Sequence, residues 1–346
     1  MRAPALSVAR PAAPLRRRRL GALAGLAVLL GAVVVAALAV GARPVPPGVV
    51  LDALLSPDPA LPDHLVVREL RLPRLAVGLL VGAALGVAGV LMQGITRNPL
   101  ADPGLLGINA GASLALVGAV RWAGVTDPGR LVWFAFAGAG LVAGLVQALG
   151  SLGRGAATPV RLALAGAALT SLLASLVSAI LLIDPEVLQV YRFWVVGSLA
   201  GAERSALLPL LPAFTLGLGL AVWAGAALNA LALGDDAARS LGVRIGLARA
   251  GVLLAVTLLS GASVALAGPV AFVGLVVPHL ARAALGPDQR LGVLAAALLG
   301  PVVLLLADVA GRVVLPPGEV PVGIMTGLVG GPAFVWIVRR LRILQP

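Results

Sequence analysis

An all-α, polytopic membrane protein with about ten transmembrane helices is the fold class that the sequence predicts, on three observations. Of the 346 residues, 60% are hydrophobic and only 12% charged, and the mean hydropathy is +1.05. Soluble domains run near half apolar and a quarter charged. The apolar residues gather into ten runs close to the roughly 20 residues that a helix needs to cross a bilayer core. Alternation of apolar and polar residues at period two is absent, so a transmembrane barrel is not supported.

The spans follow in order. Residues 1–19 form an Ala/Pro/Arg tail that ends in four arginines, 16–19. The run at 20–40 is too long for the apolar part of a signal peptide and is read as a retained first helix. Residues 44–70 mix Pro, Asp and His64 and read as a loop with one short helix. Further spans are placed at 75–95, 105–120, 131–149, 162–183, 207–227, 245–267, 270–285, 291–310 and 320–338. The shortest of the late ones, 270–285, contains Pro278, His279 and Arg282. Ten spans put both termini on one side, which carries 17 of the 26 arginines against 9 on the other. By the positive-inside rule the termini are cytoplasmic. Without the tails the balance becomes 8 against 9, so the outer face is more basic than the rule predicts.

Several function classes drop out on composition. Every basic residue is arginine, so no phosphate-binding P-loop lysine exists and the chain carries no Walker A site. There is no cysteine, and His64 and His279 are far apart, so neither a metal site nor a cofactor is read from the residues. The charge of +12 is spread between apolar runs, which argues for membrane topology and against nucleic acid. A secondary transporter needs ionisable groups near mid-membrane. Asp308 is the one acid inside a predicted span, near its outer end and one turn from Arg312.

Small-residue faces (Gly78, Gly82 and Gly86; Gly107 and Gly111; Gly140 and Gly144) read as helix packing. In 98–104, Asp102 is placed to cap the third helix with Pro103 at its first position. Ser171, Ser175 and Ser178 share one face of the fifth span. Such hydroxyls either bond back to the helix or line a polar path. Residues 232–243 form a polar island between apolar runs, with Asp235 as a helix N-cap and Gly242 as a left-handed terminator. Two turns of helix are marginal unless something packs on them, so the island is either a solvated loop or a docking knob.

Arg71-Leu72-Pro73-Arg74, a glycine-rich span, Gln93, NPLADPGLLG and Gly111-Ala112 together resemble the permease family of iron–siderophore and vitamin B12 ABC importers (FecCD-type). LNALALGDDAARSLGV at 228–243, GPVAFVGLVVPHLAR at 268–282 and EVPVGIMTGLVGGPAFVW at 319–336 continue the resemblance in the same order. The matches run from about Arg71 to Arg340 and imply a type II ABC importer permease in the plasma membrane; together with the span reading they divide the chain into a cytoplasmic tail over 1–19, one permease domain over 20–340 and a cytoplasmic tail over 341–346. The resemblance also implies a second permease copy or close paralogue, two soluble ATP-binding subunits and an extracytoplasmic binding protein. The island becomes the coupling helix, near 234–242, with Gly234, Asp235, Asp236, Ala238, Arg239, Leu241 and Gly242 at the ATPase. Arg71, Arg74 and Arg312 match positions that meet acidic residues of the binding protein, as bidentate guanidinium groups suit. For Arg312 the alternative is a local pair with Asp308, and for Arg71 and Arg74 interfacial anchoring. The serine stripe falls on the translocation path, and 184–201 resembles a short outer helix at its entrance. The cargo class is a ferric siderophore, with cobalamin and haem as the other metal–organic chelates.

Overall fold

A computed structural model describes residues 13–41, 43–151, 159–201, 204–316 and 318–343. The predicted tails therefore lie partly outside the described residues, at 1–12 and 344–346. Among the described residues all regular structure is helical.

The first helix, α1 (Ala13–Ala39), leads into α2 (Pro47–Leu55), α3 (Pro62–Leu65) and a π-helical turn (Val66–Arg71). The predicted loop at 44–70 is thus largely helical. Prolines at the first positions of α2 and α3 start them without cost, since those N–H groups have no helical partner. The π-helix continues into α4 (Leu72–Thr96), and a 3₁₀ turn (Pro103–Leu106) precedes α5 (Ile108–Ala123). Then come α6 (Pro128–Ser151), α7 (Pro159–Ile183) and the short α8 (Pro185–Val195), whose N-cap Asp184 accepts from the amides of Glu186 and Val187. After α9 (Arg204–Ala232) and the six-residue α10 (Asp235–Ser240) follow α11 (Ile245–Ala267), α12 (Val273–Leu285), α13 (Gln289–Val314) and α14 (Val322–Ile343).

Each predicted span has its helix. Seven stretches, α1, α3–α4, α6, α7, α9, α11 and α13, are long and apolar enough to cross a membrane. Of the three other predicted spans, α5 has 16 residues, α12 13 and α14 22. Asp102 caps the 3₁₀ turn, accepting from the Gly104 amide at 2.7 Å, and not α5 as expected. Gly107, at φ +68°, ends that turn and lets α5 begin only at Ile108. Ahead of α12, residues 268–272 are irregular, with Gly268 and Phe272 at positive φ. Irregular backbone at membrane depth survives only where protein covers it. Here Ser198 N–H bonds the Ala267 carbonyl at 2.8 Å and Gly323 N–H the Gly197 carbonyl at 3.0 Å, so the 195–201 connection and α14 close over it.

The bundle is organised on α4, which packs against α9, α11, α12 and α13. Lipid offers helices no hydrophobic drive to associate, so close backbone approach and dispersion carry the packing. Gly78, Gly82 and Gly86 supply that approach. A Cβ at Gly82 would lie 2.6 Å from the backbone of Pro301, and one at Gly86 2.9 Å from the Ala296 carbonyl, both on α13. Gly111 of α5 likewise meets Gly138 of α6, whereas Gly140 and Gly144 face open space within the protomer. The result is two ends with different chemistry: one carries α10, the other the turn between α1 and α4.

Candidate functional site

At one end, α10 stands between α9 and α11. Gly234 (φ +110°) is its N-cap and gives no side-chain bond, while Asp235, expected as the cap, occupies the first helical position. Its carboxylate instead joins two other elements. Arg97, at the end of α4, donates to Oδ1 at 2.8 Å, and Arg249 of α11 donates to Oδ2 at 2.9 Å. Burial alone would raise the Asp235 pKa, but the Arg249 and Arg97 guanidiniums outweigh it and hold the carboxyl below the usual range. The other end of α10 closes as the sequence predicts. Gly242 (φ +80°) donates to the Arg239 carbonyl at 2.9 Å and Val243 to the Ala238 carbonyl at 3.0 Å, the paired bonds of a Schellman cap. Ala238 is fully buried beneath the helix. Asp236 and Arg239 pair with each other at 2.7 Å on the exposed side, and Leu241 is 63% exposed beside them. A rigid base and a bare, part-apolar tip describe α10.

At the opposite end, Arg71, Arg74 and Arg312 come together. With Arg43 and Glu319 they line a pocket of about 340 Å³. Asp308, fully buried, is shared: Arg74 donates to Oδ1 at 2.7 Å and Arg312, one turn along α13, grips Oδ2. Arg312 also donates to the Ala37 carbonyl of α1 at 2.8 Å, so its charge is spent inside the bundle. Arg74 reaches the pocket mouth and meets the half-exposed Glu319 at 2.6 Å. Arg71 is buried against the carbonyls of Leu38 and Arg43, and among the described residues no carboxylate lies within ion-pairing distance of it. The local Arg312–Asp308 pair foreseen from spacing is present; Asp308 as a hub, and Glu319 and Arg43 as neighbours, were not foreseen.

The serine stripe lies on the exposed face of α7, with Ser171, Ser175 and Ser178 all at the protomer surface. Ser175 Oγ donates to the Ser171 carbonyl at 3.0 Å, the back-bonding alternative. His279 donates through Nδ1 to the Leu275 carbonyl at 2.8 Å, and Arg282 donates to Gln93 at 2.6 Å, locking α12 to α4. Among the described residues no three His, Asp or Glu side chains group as metal ligands.

Comparison with known proteins adds a lineage to this geometry. The model of the FecCD transport family matches residues 29–340. The ferric enterobactin transport system permease protein FepD of Escherichia coli is 44% identical over 320 residues, covering 92% of this chain and 95% of FepD. The probable siderophore transport system permease protein YfiZ of Bacillus subtilis is 41% identical over 278 residues, 80% of this chain and 84% of YfiZ. A solved metal-chelate type ABC transporter in an inward-facing conformation superimposes with a TM-score of 0.78 at 29% identity, over 93% of this chain and 99% of its own.

Proposed function

The chain belongs to the FecCD transport family and is a permease subunit of a metal-chelate ABC transporter, and from that premise we propose that it is driven by separate ATP-binding subunits that grip α10. The observation that carries this reading is the contrast within α10: Asp235 ties its base to α4 and α11, while Asp236, Arg239 and Leu241 are left uncovered. A force applied at the tip then reaches two long helices directly. On this reading the α10 face is cytoplasmic, both termini lie on that side of the plasma membrane, and hydrolysis occurs in the partners.

The arginine pocket is the dock for a carboxylate of an extracytoplasmic binding protein. Among the described residues Arg71 has no ion-paired acid, and Arg74 shares an exchangeable, partly exposed Glu319, so an incoming carboxylate meets two guanidinium groups. Arg312 serves indirectly, fixing Asp308 and through it Arg74. The cargo is a ferric siderophore or a related metal–organic chelate, the class named for FepD and YfiZ. A coupling-ion mechanism has little support from Asp308, since two guanidinium groups already saturate it.

Replacing Leu241 with Asp places a charge in an apolar contact and is expected to weaken ATPase capture at least tenfold, of the order seen when one buried contact is lost. Co-purification of the ATPase at wild-type yield refutes the assignment. Reversing Arg71 and Arg74 to Glu is expected to weaken binding-protein capture, most strongly at low salt. Wild-type affinity in surface plasmon resonance removes the docking role.

A further inference from the structure

Beside α10 lies a cavity of about 610 Å³, distinct from the arginine pocket at the other end and sharing only Asp235 and Arg239 with the α10 docking face. Its rim carries Arg239, Arg244 and Arg249 against one acid, Asp235. Arg239 is paired with Asp236 and Arg249 with Asp235, but Arg244 has no ion pair among the described residues. The polar wall has little to offer an anion on its own account. Ser151 and Thr96 turn their hydroxyls back to the carbonyls of Gln147 and Met92, at 2.7 and 2.6 Å. Below the rim the surface is aliphatic, formed by Ile95 of α4, Leu162 of α7, and Ile245 and Leu253 of α11. From Ile245 to Leu253 is eight residues of helix, about 12 Å of depth. The neighbouring turns of α6 and α7 expose Leu145, Leu149 and Leu164, as helices facing acyl chains do.

A cationic rim over a deep aliphatic floor, at the level where spans meet water, matches one chemistry: a phosphodiester with hydrocarbon beneath it. We infer that this cavity is a binding site for one anionic phospholipid, its phosphate at Arg244, Arg239 and Arg249 and its upper acyl carbons against Ile95, Leu162 and Leu253. A soluble phosphate ion satisfies the rim and leaves the floor empty, so the lipid is the source favoured. Bound there, it touches α4, α6, α7, α10 and α11 at once and ties the short helix to the bundle. The inference needs only that the chain spans a bilayer and holds whichever subunit grips α10.

The test uses the full-length protein, purified in neutral detergent and exchanged into nanodiscs of phosphatidylcholine doped with phosphatidylglycerol. Native mass spectrometry then counts the lipid retained after release. The expected result is one phosphatidylglycerol per chain in preference to phosphatidylcholine. Arg244→Gln should weaken retention about fivefold, the weight of one arginine at a membrane surface. Leu253→Trp, which fills the floor, should abolish retention, and Arg130→Gln at the other end of the bundle should leave it unchanged. Excess inorganic phosphate should not displace the lipid; if it does, the cavity takes the free ion and the lipid assignment falls. Equal retention of the two lipids, or wild-type retention in Arg244→Gln and Leu253→Trp, overturns the site.

Discussion

Arg97 ends α4 in the left-handed conformation, at φ +51°. An L-residue other than glycine adopts that backbone at a cost of about 1–2 kcal/mol. In that conformation its guanidinium reaches Asp235, which also receives Arg249. Asp235 is about one-third exposed, so water screens the pairs, and their role is to fix direction more than to add stability. Its pKa is lowered on folding, so the anchoring is complete above the ordinary carboxylate value, about 3.9, and is lost as pH falls through the lowered folded value. Asp235→Asn should therefore loosen residues 235–242 at neutral pH, read as faster amide hydrogen exchange after correction for intrinsic rates. The wild type should show the same loosening only in strong acid. Unchanged protection in the variant would mean that Asp235 is not the anchor.

Helix pairs in this bundle are set by where side chains are missing. Gly82 and Gly300 oppose each other across α4 and α13, and a Cβ at Gly300 would sit 2.0 Å from the Gly82 carbonyl. Gly82→Val must push α13 outward, and with it Asp308, seven residues beyond Pro301. Overpacking of this kind costs about 1–3 kcal/mol. The unfolding midpoint should fall, and the Arg74–Asp308–Arg312 cluster should lose binding-protein capture alongside it. Gly140→Ala, facing open space, should change the midpoint little, within about 0.5 kcal/mol. The sequence shows these two glycines alike, since spacing reports a helix face and not its neighbour. Hydropathy made a helix legible at each of the ten predicted spans, seven of them long and apolar enough to cross a membrane, whereas the helices within 44–70 were hidden by their prolines and acids. The Arg97–Asp235 pair, 138 residues apart, leaves no periodic trace, because it joins a helix end to a remote turn. The Schellman cap at Gly242 was legible, being wholly local.

At the scale of the whole molecule, α7 is as little enclosed as α1: 17% of its most apolar stretch is buried in the protomer, against 33–78% for the other five long spans. One face exposes Leu172 and Leu176 next to Ser171, Ser175 and Ser178. Leucines alone would suit lipid. A stripe of hydroxyls beside them is better placed against water or another protein, because hydrocarbon gives a hydroxyl no partner beyond its own helix. Two copies meeting near this face would cover the leucines and leave the serines along a shared axis, where they could line a translocation path. The chain has no cysteine, so a single one can be introduced without background. Ser175→Cys should give a disulfide-linked dimer on mild oxidation in membranes, and Leu141→Cys, exposed on α6, should not. Cross-linking at Leu141 with none at Ser175 would move the dimer axis to α6, and the serine stripe would then face lipid, bonded only to its own carbonyls.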